Sequence, residues 1–324
     1  MGSENEMIPC LDFSKYDLGV VDQEGSEEWK KMSKKVREAC ESHGCFIIMY
    51  DENKIPKNLC ENMFIGMKDL FDLPEEIKRK HISSTPFSSY TSDDPKIPLS
   101  QTFGIDDASL GDNALAFTNL MWSQGNPTFC ETMKTMSYKM LELHSLVLKM
   151  IIDGYGLPKQ YTSTIEELKS RSSFRLMKYK VPEINKDYET ALVSHTDKNT
   201  LTTLCQNEVQ GLEVLTKTNQ WIRLNIPQGG FVVIVGDTLK AWSNCRLHAA
   251  AHKVTMCGDK ERYSFALFSV PKKDVKIEVP HELVEDKMHP LHYRSFNYDD
   301  YLDYVVLGLK ENKEIITLEA FLGV

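Results

Sequence analysis

Roughly midway along this 324-residue chain the spacing of the apolar residues changes, and that change constrains the fold more than any single motif. The first half reads helical. From Glu27 to Ser42 the residues Trp29, Met32, Val36 and Ala39 recur at three and four positions, which makes one apolar helix face, and His43-Gly44 stops it. Lys57 to Phe71 repeats the pattern and ends before Pro74, where Glu75 and Glu76 open a fresh start. A longer helix is expected from about Pro127 to Tyr155. Its Met133, Met136, Met140 and Met150 sit at the spacing that packing alone requires, so they belong to a core and not to a cofactor site.

From Ser173 the pattern becomes that of short strands: Phe174 to Tyr179, Leu201 to Cys205, Leu212 to Leu215, Ile222 to Leu224, Phe231 to Val235, Leu247 to Thr255 and Tyr263 to Val270. Turn-rich text such as Thr218-Asn219 and Pro227-Gln228-Gly229-Gly230 separates them. That rhythm suggests an antiparallel barrel or jelly roll, mainly β with flanking helices, of a kind that can enclose a small cavity. The division of the chain follows: a helical N-terminal region over 1–165, a strand-rich core over 166–280 and a C-terminal helical extension over 281–324. Within the first region, residues 83 to 113 are rich in Ser, Pro, Asp and Gly without periodicity. A stretch that long reads as a lid over a pocket.

Composition removes several function classes. A formal net charge of -9 offers no basic field for a phosphate backbone, so nucleic acid is not an expected partner. No stretch approaches the roughly 18 uninterrupted apolar residues of a membrane span, and the N-terminus has no charged start leading into an apolar run. The Met1-Gly2 opening lacks the Ser or Thr that an N-myristoyl signal carries at the sixth position, where Glu6 stands. Eight cysteines are scattered without a Cys-x-x-Cys pair. They read as reduced thiols, mostly small buried hydrophobes, in a cytoplasmic protein expected to act as a monomer.

The chemistry concentrates in His195-Thr196-Asp197 and His252. Residues at i and i+2 on an extended chain point to one side and can share a metal, and one further imidazole closes the set. Two neutral imidazoles and a carboxylate leave coordination positions open, the arrangement of non-haem Fe(II) oxygenases. A His-x-Asp alone serves equally as a hydrogen-bonded turn. Its setting among apolar strands, and Arg262-Tyr263-Ser264 downstream, point to chemistry: Arg262 and Ser264 alternate to one face and suit a carboxylate through charged donors and a hydroxyl. His248 also lies near the strand that carries His252, at an even spacing from it.

Taken in order, these segments resemble the plant 2-oxoglutarate-dependent dioxygenases, and within them the AOP-type branch. The likeness runs through Ile8-Pro9-Cys10-Leu11-Asp12-Phe13, His43-Gly44-Cys45-Phe46, Ser194-His195-Thr196-Asp197-Lys198-Asn199, Gly211-Leu212-Glu213-Val214, Gly236-Asp237-Thr238-Leu239, Arg262-Tyr263-Ser264 and Pro271, nearly the whole chain. It implies a double-stranded β-helix (jelly-roll) core with Fe(II) on His195, Asp197 and His252, the family register favouring His252 over His248. It implies 2-oxoglutarate as co-substrate, its distal carboxylate on Arg262 and Ser264 with Tyr179 in support, dioxygen as oxidant and ascorbate as an aid. Arg175 and Phe268 fall where the family lines its substrate pocket, and Tyr90 and Phe103, in the lid, are assigned to that pocket with them. Phe268 serves equally as a core aromatic.

The resemblance further implies oxidation of a small specialised metabolite or hormone by hydroxylation, desaturation or oxidative dealkylation, with release of succinate and CO2. Asp197 is retained, which argues against halogenation. An oxidase of the same fold that does not consume 2-oxoglutarate, and a catalytically silent small-molecule binder, stand as alternatives. Three positions depart from the family: Met177 replaces an Asn, Lys253 stands where Arg is common, and Cys245 replaces a turn glycine. The last implies a turn that is either different or strained.

Overall fold

The computed structural model describes residues 7–16, 24–51, 54–182, 188–284 and 290–324. The N-terminal residues Met1, Gly2 and Glu6 lie outside them. In chain order the elements are β1 (Cys10–Asp12), α1 (Glu27–Ser42), β2 (Cys45–Met49), α2 (Lys57–Phe71), α3 (Glu75–Lys78), β3 (Ser100–Asp106), α4 (Asn113–Met121), α5 (Pro127–Tyr155) and α6 (Tyr161–Leu168). Then follow β4 (Arg171–Tyr179), β5 (Glu189–His195), β6 (Leu201–Gln206), β7 (Leu212–Leu215), β8 (Trp221–Arg223), β9 (Phe231–Val235), α7 (Asp237–Trp242), β10 (His252–Met256) and β11 (Arg262–Val270). The chain closes with β12 (Lys276–Ile277), β13 (Phe296–Asn297), α8 (Tyr298–Lys310) and α9 (Leu318–Leu322).

Two sheets form the jelly roll. The larger runs β1-β2-β9-β6-β11-β4-β3 and the smaller β5-β10-β7-β8. Strand alternation sorts the larger sheet's side chains into two compartments. On β11, Tyr263, Phe265 and Leu267 face the helices, while Ala266 and Phe268 face the space between the sheets. On β4, Phe174 and Leu176 face the helices, while Met177 and Tyr179 face inward. Both faces of this sheet are covered, which is why its strands read as nearly continuous apolar runs.

The helical layer is anchored by α5, whose boundaries have local causes. Asn126 accepts the amide of Phe129, Pro127 occupies the first turn, and Gly156 ends the helix with φ 66°. Its four expected core methionines, Met133, Met136, Met140 and Met150, are fully buried.

The text over 83–113 is not loop throughout. Ser100–Asp106 forms edge strand β3, paired along β4 from Ser100↔Tyr179 to Asp106↔Ser173, and Asn113 opens α4. Its strand character was hidden because its inward positions carry Thr102, Gly104 and Asp106 in place of an apolar alternation. Strand β10 also starts later than expected, at His252, so His248 belongs to the loop after α7. The turn at Cys245 keeps the left-handed conformation, with Asn244 at φ 54° and Cys245 at φ 66°. It is therefore strained, not rebuilt.

Candidate active site

His195 is the last residue of β5 and lies directly opposite His252, the first of β10. That register brings the two rings to 4.3 Å between centroids. Asp197 follows two residues on, and its Oδ1 sits 3.6 Å from His195 Nε2 and 3.7 Å from His252 Nε2. One ligand atom from each of the three residues falls within 4.8 Å of the others. Each imidazole turns Nδ1 toward a main-chain carbonyl, Val193 at 2.9 Å and Ala250 at 3.1 Å, so Nδ1 carries the proton and Nε2 keeps its lone pair. Burial and the neighbouring His195 push His252 down to about 4, which keeps it neutral. Burial alone would raise the Asp197 carboxyl, but His252, His195 and a 2.6 Å bond from Thr202 hold it well below the usual carboxylate range. Neutral nitrogens beside an ionised oxygen are the donor set that a divalent iron takes.

Alternation sends Thr196 the other way, onto Asp237. The buried Asp237 Oδ2 accepts bonds from Thr196 at 3.0 Å, Lys198 at 2.8 Å and Tyr301 of α8 at 2.7 Å. Its amide donates to the carbonyl of Asp197 at 2.7 Å. Gly236 allows this approach, because a Cβ there would meet the carbonyl oxygen of Asn199 at 1.9 Å. The Gly236-Asp237-Thr238 motif is thus a clamp on the ligand loop. Sequence reasoning saw the motif but not this task.

Arg262 is fully buried between the sheets. Its Nε and Nη2 donate to Gln206 Oε1 at 3.2 and 2.8 Å, and Nη1 to Ser264 Oγ at 3.1 Å. The guanidinium lies 5.0 Å from the centre of the Tyr179 ring. Every hydrogen-bond acceptor of this group among the described residues is neutral. A buried guanidinium without a counter-ion costs several kcal/mol, so the cradle fits an anionic ligand such as the distal carboxylate of 2-oxoglutarate. Gly211 links this end to the metal end: a Cβ there would lie 3.1 Å from Arg262 Cδ and 3.4 Å from a methyl of Val254, two residues along β10 from His252. Gln206 was not anticipated. It stands opposite Ser264 across the β6–β11 ladder, a pairing that no local motif announces.

Arg175 and Phe268 share the inner face, with the guanidinium carbon 4.5 Å from the Phe268 ring centre. Tyr90 and Phe103 do not. Phe103 pairs with Leu176 in the β3–β4 ladder and is fully buried on the helix side, its ring tilted against that of Tyr90 at 4.6 Å and close to Phe71 and Phe117. Tyr90 donates to Glu75 at 3.0 Å in the same layer. Their assignment to the pocket is corrected accordingly: strand parity aims Phe103 away from the triad, and Tyr90 follows it. The lid aromatic that does reach the site is Phe87, 5.7 Å from Arg175. His248 stands apart too, its amide bonded to the carbonyl of Cys40. Met177 faces inward and accepts the Tyr179 hydroxyl on sulfur at 3.7 Å, while Lys253 pairs outside with Glu213 at 3.3 Å, over Trp221.

Known proteins resemble this chain in sequence and in fold. Residues 172–271 match the 2OG-Fe(II) oxygenase superfamily, and residues 8–106 match the N-terminal region of non-haem dioxygenases in morphine synthesis. The probable 2-oxoglutarate-dependent dioxygenase AOP1.2 of Arabidopsis thaliana is 40% identical over 303 residues, 92% of this chain and 90% of that one. Among solved structures, the dioxygenase for auxin oxidation of rice superposes with a TM-score of 0.79 at 30% identity, covering 98% of this chain and 99% of that one. The auxin-oxidising dioxygenase of Arabidopsis thaliana in complex with 2-oxoglutarate gives a TM-score of 0.75 at 26% identity over 88% of this chain and 100% of that one. Among the described residues no helix is long and apolar enough to cross a membrane. With a jelly roll, a His-Asp-His cluster and relatives of this kind over nearly its full length, the chain belongs to the plant 2-oxoglutarate- and Fe(II)-dependent dioxygenases, in the AOP-type branch.

Proposed function

We propose that His195, Asp197 and His252 hold Fe(II), that Arg262 and Ser264 hold the distal carboxylate of 2-oxoglutarate, and that Tyr179 packs against that pair. The carrying observation is a buried guanidinium with only neutral acceptors, in the same inter-sheet space as three metal-ligand atoms within 4.8 Å. Iron bound there supplies the oxidation of a substrate by dioxygen, coupled to conversion of 2-oxoglutarate to succinate and CO2. The protein's own residues do the rest. Two carbonyls fix the imidazole tautomers, Thr202 orients one oxygen of Asp197 so that the other faces both rings, and the apolar inter-sheet core limits water.

The substrate is a small specialised metabolite or hormone entering beside Arg175 and Phe268, and the names of the auxin-oxidising relatives support this class. Hydroxylation, desaturation and oxidative dealkylation all remain within reach of the site. Residues 166–280 act as the catalytic core, with 1–165 and 281–324 bracing it and the 83–99 part of the lid segment covering the entrance. The protein acts as a cytoplasmic monomer, without nucleic acid or membrane. The test is anaerobic addition of Fe(II) and 2-oxoglutarate to metal-stripped protein. A visible charge-transfer band is expected, lost in Asp197→Ala and Arg262→Ala. Bound iron without a band would overturn the assignment.

A further inference from the structure

A second guanidinium, half-buried, shares the inner face of the larger sheet, and the co-substrate does not account for it. Arg175 makes no hydrogen bond and no ion pair with any described residue, and its Nε is fully enclosed without a partner. Its planar group is covered instead by aromatic rings, Phe268 at 4.5 Å and Phe87 at 5.7 Å. The carboxylates it senses are Asp197, which faces the metal ligands, and Asp106, which accepts a 2.8 Å bond from Ser88. Neither comes within ion-pair distance of Arg175.

This arrangement is built, not incidental. Arg175 pairs with Gly104 across the β3–β4 ladder. A Cβ on Gly104 would lie 2.7 Å from Ser88 Cα, so only glycine lets the covering segment come down onto the strand there. The Gly104 amide holds the Ser88 carbonyl at 3.0 Å. Phe87, the residue before Ser88, takes a left-handed φ of 64°, an unfavourable conformation for an aromatic residue.

With aromatic rings beside the guanidinium, its in-plane N–H edge is what remains for a ligand, and that edge matches a carboxylate through two parallel bonds. The geometry points to Arg175 as the anchor of the organic substrate, and to that substrate as a small carboxylic acid with an apolar body that packs on Phe268 and Phe87. The inference rests on the site assignment made above, since it places the acid beside a centre already holding iron and 2-oxoglutarate.

The experiment titrates the anaerobic enzyme·Fe(II)·2-oxoglutarate complex with a panel of arylalkanoic acids, indole-3-acetic acid and 3-phenylpropanoic acid among them, and with their primary amides. Perturbation of the visible band reads binding, and succinate formed after air is admitted reads turnover. Acids are expected to bind and their amides to bind far more weakly. Arg175→Gln should weaken the acids about a hundredfold while leaving the amides and the unperturbed band in place, and Arg175→Lys should recover part of the loss. Amides binding as well as acids, acids binding equally to Arg175→Gln, or no acid perturbing the band at millimolar concentration would each overturn the inference. Absence of the band itself would count against the metal and co-substrate assignment, so the two failures are distinct.

Discussion

The space between the sheets holds two arginines, one fully buried and one half-buried, with no carboxylate partner among the described residues, and the chain supports them in opposite ways. Arg262 lies on β11, paired on both sides by β4 and β6, and donates to Gln206 and Ser264, whose positions the ladders fix. Arg175 lies one strand nearer the edge, donates to none of the described residues, and is covered by a loop residue. On the assignments proposed above, the contrast lets one barrel serve a co-substrate at one arginine and a separate organic substrate at the other. A rigid hydrogen-bonded cradle suits a ligand that never changes, while a guanidinium held only by stacking can be re-covered by a different loop without disturbing the first.

The sharpest way to break the contrast is to remove each charge in turn. Arg262→Ala should raise the KM for 2-oxoglutarate by at least about thirtyfold, since truncating one partner of a buried charge pair costs roughly 2–5 kcal/mol. Arg175→Gln should leave that KM nearly unchanged. Steady-state succinate release at varied 2-oxoglutarate decides it, and equal effects would mean that the two groups serve one ligand.

Next comes the clamp behind the fixed end. Asp237→Asn keeps the shape but removes the charge that meets Lys198, and outer-shell changes of this kind cost roughly 10–100-fold in metal affinity. Competition with a chelator measures the loss. An unchanged iron affinity would make Asp237 a link between α7 and α8 alone. At the open end, Gly104→Ala forces Ser88 backbone aside and should cost about 1–3 kcal/mol of stability locally, lowering substrate turnover while the chelate band persists. Phe87→Ala should be milder, because a half-exposed cation–π contact contributes only about 0.5–1 kcal/mol, or a few-fold in substrate affinity.

The same contrast explains what was legible in the sequence. The His195-Asp197 pair and the Arg262-Ser264 pair each sit at a short fixed spacing, so their placement side by side could be read directly, and the helices α1, α2 and α5 followed from apolar spacing and caps. What failed depends on pairing across distant segments. Gln206 reaches Arg262 only through the β6–β11 register, and Phe87 reaches Arg175 only because Gly104 lets a loop descend. Tyr90 and Phe103 were placed in the pocket from their position in an aperiodic stretch, and one step of strand parity sends Phe103 to the opposite compartment. An inward Gly or Thr leaves no trace in a hydrophobic pattern.

One departure from the family was readable in advance, and it gives the smallest expected effect. Cys245 keeps the left-handed turn that glycine normally occupies, at φ 66°, immediately after Asn244 at φ 54°. Its amide still donates to the carbonyl of Lys240 at 3.0 Å, and Asn244 still ties the turn to the carbonyls of Leu283 and Pro290. The turn is therefore held by surroundings that outweigh the steric cost of about 1–2 kcal/mol for an L side chain. Cys245→Gly removes that cost but gives the unfolded chain about 0.5–1 kcal/mol of extra freedom. A net gain of about 1 kcal/mol or less should remain, raising Tm by about 2 °C in a chain of this size. Because the turn touches neither arginine, KM for 2-oxoglutarate and for substrate should both stay fixed. A lower Tm would mean that the thiol's contact with Tyr293 is worth more than the strain, and a changed KM would mean that the turn after α7 reaches the clamp on the ligand loop.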